Sequence, residues 1–155
     1  MKVNLDDVIE CIELENESLN HYYNKNTCII IYRESSETSS YKAEDFNKID
    51  EFEEWERELI ESLHDLKTNP QDYIQLPTAR EISEFKILEQ FCNSFSDISI
   101  DNIIKENIDE IKKIQKIKRI IEDKKMLNDW YDFREASERQ IAKDWCDQNN
   151  IEYIE

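Results

Sequence analysis

The chain has 155 residues with 20 Lys and Arg against 37 Asp and Glu, giving a formal net charge of −17, and it contains no Gly. Without Gly, a Walker phosphate loop, a dinucleotide-binding fingerprint and a G-x-S-x-G nucleophile elbow are all excluded. A hydrophobic fraction of 39%, with three Trp, seven Tyr and six Phe, argues against disorder and supplies a core for one domain of 18.8 kDa.

The spacing of Leu5, Val8, Ile9 and Ile12 predicts a helix over residues 4–14. Asn4 is placed to cap it, and Asp6 and Asp7 suit its positive end. Leu19–Tyr23 and Cys28–Arg33 are β-prone runs joined by Asn24-Lys25-Asn26-Thr27, which predicts a hairpin. The continuous run Ile29–Ile31 requires one strand face to be covered by helices. Residues 34–45, ESSETSSYKAED, read as a polar surface linker.

From Phe46 to Leu66 apolar residues recur at helical spacing, with Trp55 in the stripe and Glu at the positions between. Thr68-Asn69-Pro70 ends that helix, and Tyr73–Pro77 is a short extended piece. Thr78, with Glu81 three residues on, predicts a capped helix to about Phe95. A long Ile stripe runs from Ser99 to about Lys125, and its three-residue steps between 108 and 117 predict a break or bend. Asn128 is placed to cap a last helix to about Gln148, anchored by Trp130, Phe133, Ile141, Ala142 and Trp145. Residues 151–154 either add a short strand or pack. The expected fold is α+β and mainly α: a single domain over 1–155, with about five helices and a small N-terminal hairpin.

Asp6 and Asp7 stand where a secretory peptide needs an apolar stretch, so none is expected, and no apolar run approaches the length of a spanning helix. A soluble, cytoplasmic protein is expected, and 23 Ile with many Asn and Lys fit an AT-rich bacterial or phage genome. The four Cys form no C-x-x-C pair, so buried free thiols are expected at Cys11, Cys92 and Cys146 rather than a zinc site. Residues 1–72 hold 19 acidic and 7 basic side chains, whereas residues 105–125 carry a net +3.

Catalytic and metal chemistry find little support. Glu61 and His64 make a single E-x-x-H, where a di-iron site needs two plus further Glu. Asp6, Asp7, Glu10 and Glu13 read as a solvated helix face before a Mg²⁺ site. No catalytic residues, metal or cofactor are therefore assigned. Three surfaces remain as binding candidates. Glu51, Glu53, Glu54, Glu58 and Glu61 space carboxylates in a way that imitates a phosphate backbone or suits a basic protein face. Tyr131 and Arg134 lie three apart on one helix face and can form an aromatic–guanidinium pair. Lys116, Lys118 and Arg119 are the candidate anion contacts, although Lys alternating with Ile reads first as a solvated helix face.

The block DWYDFREASERQIAKDWCDQNNIEY resembles the C-terminal signature of the bacterial uncharacterised protein family 0158. KVNLDDVIECIE, YYNKNTCIIIY and YIQLPTAREISEFKILEQFC resemble its other shared blocks, leaving about residues 34–68 outside the likeness. Before the D-W-Y block that family carries a Gly-Arg-Gly-type turn and an Arg/Phe-rich helix. Here Ile114 and Ile117 stand where aromatics are expected, and Gln115 and Lys116 where paired Arg are expected. The resemblance thus implies an altered role for that block and supports the domain reading without supplying a chemistry.

The expected function is that of an acidic, non-enzymatic protein that binds and inhibits a basic, nucleic-acid-handling protein, in the manner of an immunity protein or a phage-encoded inhibitor. Direct nucleic-acid binding and membrane association are not expected. Two alternatives stand beside it: a small enzyme or binding protein for a phosphorylated or nucleotide-like ligand, and a self-associating regulator with exposed Ile or aromatic patches.

Overall fold

A computed structural model describes residues 1–35 and 37–155. The chain divides into two compact units, one formed by Met1–Ala79 with Ala142–Glu155 and the other by Arg80–Ile141. The architecture is α+β and mainly α, with seven α-helices among the described residues.

In the first unit, β1 (Val3–Asn4) leads into α1 (Leu5–Leu14). Asn4 Oδ1 accepts the Asp6 N–H at 3.0 Å, the expected cap. Leu5, Val8, Ile9 and Ile12 are buried, so the predicted stripe is the one the fold uses. β2 (Leu19–Asn24) and β3 (Ile30–Glu34) pair antiparallel, and β4 (Tyr73–Gln75) pairs antiparallel on the other side of β2, giving the order β3-β2-β4. The hairpin connection is longer than the expected four residues. Asn24 Oδ1 accepts from the Asn26 and Thr27 N–H groups, and Cys28 takes a positive φ of 59° to turn the chain. Ile29 therefore sits in the turn and is exposed, so only part of the Ile29–Ile31 run is covered.

The predicted helix from 46 to 66 is interrupted. A 3₁₀ helix, Ala43–Glu51, precedes α2 (Glu54–Thr68), and Phe52 and Glu53 between them are extended. The Glu53 N–H donates to Glu56 Oε2 at 2.8 Å, a start signal that restarts the helix there. The expected linker is shorter than residues 34–45, because β3 reaches Glu34 and the 3₁₀ helix begins at Ala43; Ser36 within it lies outside the described residues. Asn69 and Pro70 end α2 as expected. β5 (Tyr153–Ile154) pairs parallel with β1, so residues 151–154 do supply a strand. Ile60, Leu63, Leu66, Leu76, Trp145 and Ile151 are buried with the α1 stripe, and Tyr23 meets Trp145 edge to face at 6.0 Å.

In the second unit the helix expected from Thr78 to Phe95 breaks at Ser83. That residue takes a left-handed φ of 50° and its Oγ caps α4 (Glu84–Asn93), leaving α3 (Ala79–Ile82) as a single turn. The Ile-rich segment also splits, into α5 (Asp101–Lys105) and α6 (Glu110–Asp123). The break, at residues 106–109, overlaps the start of the predicted stretch, because Asp109 Oδ1 accepts the Lys112 N–H at 2.8 Å and starts α6 afresh. The new phase exposes Ile111 and buries Ile117 and Ile121. α7 (Leu127–Gln148) begins before Asn128, which therefore sits inside the first turn and not at the cap. Lys125 at φ 58° makes the turn between α6 and α7. Ile87, Leu88, Phe91, Ile117, Ile121 and Trp130 form this unit's core, with Phe91 5.6 Å from Trp130 and 5.5 Å from Phe133. No helix among the described residues is long and apolar enough to cross a membrane.

Candidate functional site

All five carboxylates of the predicted acidic set are exposed. Glu51 ends the 3₁₀ helix, Glu53 precedes α2, and Glu54, Glu58 and Glu61 follow at the i, i+4, i+7 spacing of one helix face. Among them stands Trp55, 68% exposed. The sequence stripe put Trp55 in the core, but the buried face of α2 begins more than a turn later, at Ile60. What signals its position is its place in the first turn of the helix, with Glu53, Glu54 and Glu56 around it.

The ridge is held in place from one side. The Tyr41 ring lies edge-on to Trp55 at 6.4 Å and to Phe52 at 6.2 Å, and its hydroxyl donates to Glu56 Oε1 at 2.6 Å. That bond to Glu56 pushes the Tyr41 hydroxyl above its ordinary pKa. Arg57 Nε donates to the Phe52 carbonyl at 2.9 Å. Phe46 stacks on His64 with centroids 3.9 Å apart and 7° between planes, so the imidazole of the single E-x-x-H is packed on an aromatic ring. Lys67 Nζ lies 2.5 Å from Glu44 and lowers that carboxyl's pKa. At the far end of α2, Asp65 accepts from the Tyr73 hydroxyl at 2.6 Å and from Asn69 at 2.8 Å, and both bonds hold it below the usual carboxylate range. Burial, with Asp65 beside it, pushes the Tyr73 hydroxyl up to about 12.

Beside this ridge is an open hollow of about 80 Å³. Tyr32 and Glu34 of β3, the Ser39–Tyr41 loop, and Leu59 and Leu63 of α2 line it. Tyr41 thus belongs both to the hollow and to the support of Trp55.

The other predicted residues lie in the second unit. Arg134 sits over the Tyr131 ring at 5.5 Å, and its Nε is 3.9 Å from Glu138 Oε1, so the aromatic pair and the carboxylate neighbour are both realised. Lys116 pairs with Glu106 at 2.5 Å and Lys118 with Glu84 at 2.6 Å, which offsets two of the three cations offered for an anion. Arg119 is exposed on α6. Asp6, Asp7, Glu10 and Glu13 are all exposed along α1. Among the described residues no three His, Cys, Asp or Glu side chains converge as a metal site requires.

One polar cluster was not singled out from sequence. The Glu15 carboxylate, its side chain 0% exposed, lies 2.9 Å from His21 Nδ1 and also accepts the His21 backbone N–H at 2.8 Å and Asn20 Nδ2 at 3.1 Å. The alternation Leu19, His21, Tyr23 puts His21 on one sheet face with Tyr23, which is the available signal. The cluster ties the end of α1 to β2. The cysteines are free: Cys92 and Cys146 are buried as predicted, and Cys11 is half-buried. Burial pushes the Cys11 thiol up to about 12 and those of Cys92 and Cys146 to about 11, the opposite of an activated nucleophile.

No family model, no curated protein and no solved structure matches the chain.

Proposed function

We propose that the protein is an acidic, non-enzymatic binding protein whose ridge around Trp55 engages and restrains a basic partner of the nucleic-acid-handling kind. The observation that carries this reading is an exposed Trp surrounded by exposed carboxylates on a braced helix start. Exposed Trp residues are the commonest anchors of protein interfaces, and surrounding charge sets partner choice and association rate. Glu54, Glu58 and Glu61 repeat along one helix face as phosphates repeat along a backbone, which favours a partner evolved to grip nucleic acid. Under the same reading the protein works in the cytoplasm.

The test is capture from host lysate by the wild-type chain and by a chain with Glu51, Glu53, Glu54 and Glu58 all changed to Gln, at ionic strengths of about 0.05 M and about 0.5 M. A basic protein retained in stoichiometric amount by the wild type, weakened by salt and lost to the variant is the expected result. The same proteins held by both chains at both salts would overturn the reading.

A further inference from the structure

β3 is an edge strand, and its register fixes which of its backbone groups are engaged. Asn24 N–H donates to the Ile29 carbonyl, and Ser35 N–H donates to the Ser18 carbonyl. In an antiparallel ladder bonded pairs alternate, so with Tyr22 opposite Ile31 and Asn20 opposite Arg33, residues 29, 31, 33 and 35 face β2. The N–H and C=O groups of Ile30, Tyr32 and Glu34 therefore point to the opposite side. Among the described residues no strand pairs with β3 there and no backbone bond is made to these three. The other side of the sheet shows the same parity in use: Leu76 N–H bonds the His21 carbonyl and Lys25 N–H bonds the Asp72 carbonyl. An open edge of this kind is a template for one more strand.

The side chains next to that edge say what the added strand must carry. Tyr32 and Glu34 share the sheet face of His21 and Leu19, and they line the hollow completed by Ser39, Ser40, Tyr41, Leu59 and Leu63. A long side chain entering it meets Leu59, Leu63 and the Tyr rings for its stem, and the serines and Glu34 for its tip. This matches Lys or Arg, whose methylenes bury while the cation stays at the rim. The unit that contains β3 holds 23 Asp and Glu against 8 Lys and Arg, a net of −15, which repels a second copy of the chain and attracts a basic segment.

The geometry points to β3 as the docking edge for an extended, Lys- or Arg-bearing segment of a protein partner, which adds as a fourth strand and seats one cationic side chain in the hollow beside Glu34. The inference rests on the acidic-surface reading and gives it a form: the segment grips backbone at β3 while Tyr41 links that contact to Trp55. Specificity comes from the side chain in the hollow, and affinity from main-chain bonds that any extended sequence can make.

The test uses the full chain and a capped peptide of about eight residues alternating Lys and Val, long enough for one strand. Amide hydrogen exchange is followed residue by residue. Saturating peptide is expected to slow exchange at Ile30, Tyr32 and Glu34 by about tenfold or more, and a Glu–Val peptide is expected to have no effect. Of two N-methylated versions, one on every Lys and one on every Val, one loses at least about tenfold in affinity and the other retains it, since alternate N–H groups face β3. Equal loss from both versions overturns the inference, as does protection in the free protein that rises with its own concentration, which marks a second copy as the occupant. Salt-sensitive binding that perturbs Trp55 without protecting the three amides overturns strand addition while leaving the acidic-surface reading intact. No binding of the Lys–Val peptide also overturns strand addition, and capture by the wild type but not the Gln variant still decides the reading separately.

Discussion

The two units are built by different chemistry. Arg80–Ile141 is nearly neutral, 14 acidic side chains against 12 basic, and is organised around the edge-to-face contacts of Phe91 with Phe133 and Trp130 and an Ile layer from α6. The unit of Met1–Ala79 with Ala142–Glu155 carries −15, and many of its joints are polar. Glu15 joins His21, Tyr41 joins Glu56, Asp65 joins Tyr73, Arg33 donates to the Tyr22 hydroxyl, and Trp145 donates to the Gln75 carbonyl. Apolar packing is indifferent to charge, so the second unit can balance its surface with ion pairs such as Lys118–Glu84. A unit held in part by directed bonds, some of them to carboxylates turned inward, folds in spite of the mutual repulsion of its many exposed carboxylates.

The contrast breaks most visibly at Trp130, 1% exposed at the centre of the second core. Trp130→Ala should cost about 3–5 kcal/mol, read by urea denaturation. In the first unit the matching point is polar. Glu15→Ala strands the buried His21 and the half-buried Asn20 and should cost about 3 kcal/mol, whereas an exposed carboxylate such as Glu13→Ala should stay within about 0.5 kcal/mol. If Glu15→Ala behaves like Glu13→Ala, the polar-joint account of this unit is wrong.

Trp55→Ala separates binding from folding. Partner affinity should fall by about 2 kcal/mol or more, as for an interface anchor, with stability unchanged within about 0.5 kcal/mol. A comparable loss of stability would return Trp55 to the core. A subtler distinction lies in alkali. The buried Cys92 and Cys146 and the half-buried Cys11 have folded thiol pKa values raised from 9.0 to about 11, about 11 and about 12, so their contribution is full below about pH 9 and lost as pH rises through those values. Two of the three, with Tyr23 and Tyr73 both raised to about 12, lie in the acidic unit. Denaturation midpoints should therefore fall between about pH 9 and about pH 11, and Cys11→Ser should flatten that fall.

Much of this fold could be read from sequence where one periodicity met one stop signal. The α1 stripe with its Asn4 cap, the end of α2 at Asn69-Pro70, and the Trp130, Ala142 and Trp145 anchors all stand as the pattern predicts. Misses came where a local restart competes with a continuous stripe. Glu53 and Ser83 each begin a helix inside a run whose apolar spacing looks unbroken, whereas the restart at Asp109 falls where the three-residue Ile steps begin and predict a break or bend. The restart at Glu53 has a direct consequence for the surface, because it leaves Trp55 in a first turn beyond the reach of the core. The acidic residues themselves were evident from composition. The polar bracing from Tyr41 and the parity of β3 depend on contacts between distant residues, and no window of sequence contains them.

Association kinetics with the captured basic partner test the central claim most directly, followed by stopped flow through tryptophan emission. Trp130 and Trp145 are buried, so the change reports chiefly Trp55. The predicted result is a rate constant that rises steeply as ionic strength falls and a slope that flattens when Glu51, Glu53, Glu54 and Glu58 become Gln. A rate independent of salt, or an unchanged slope in that variant, would contradict the account.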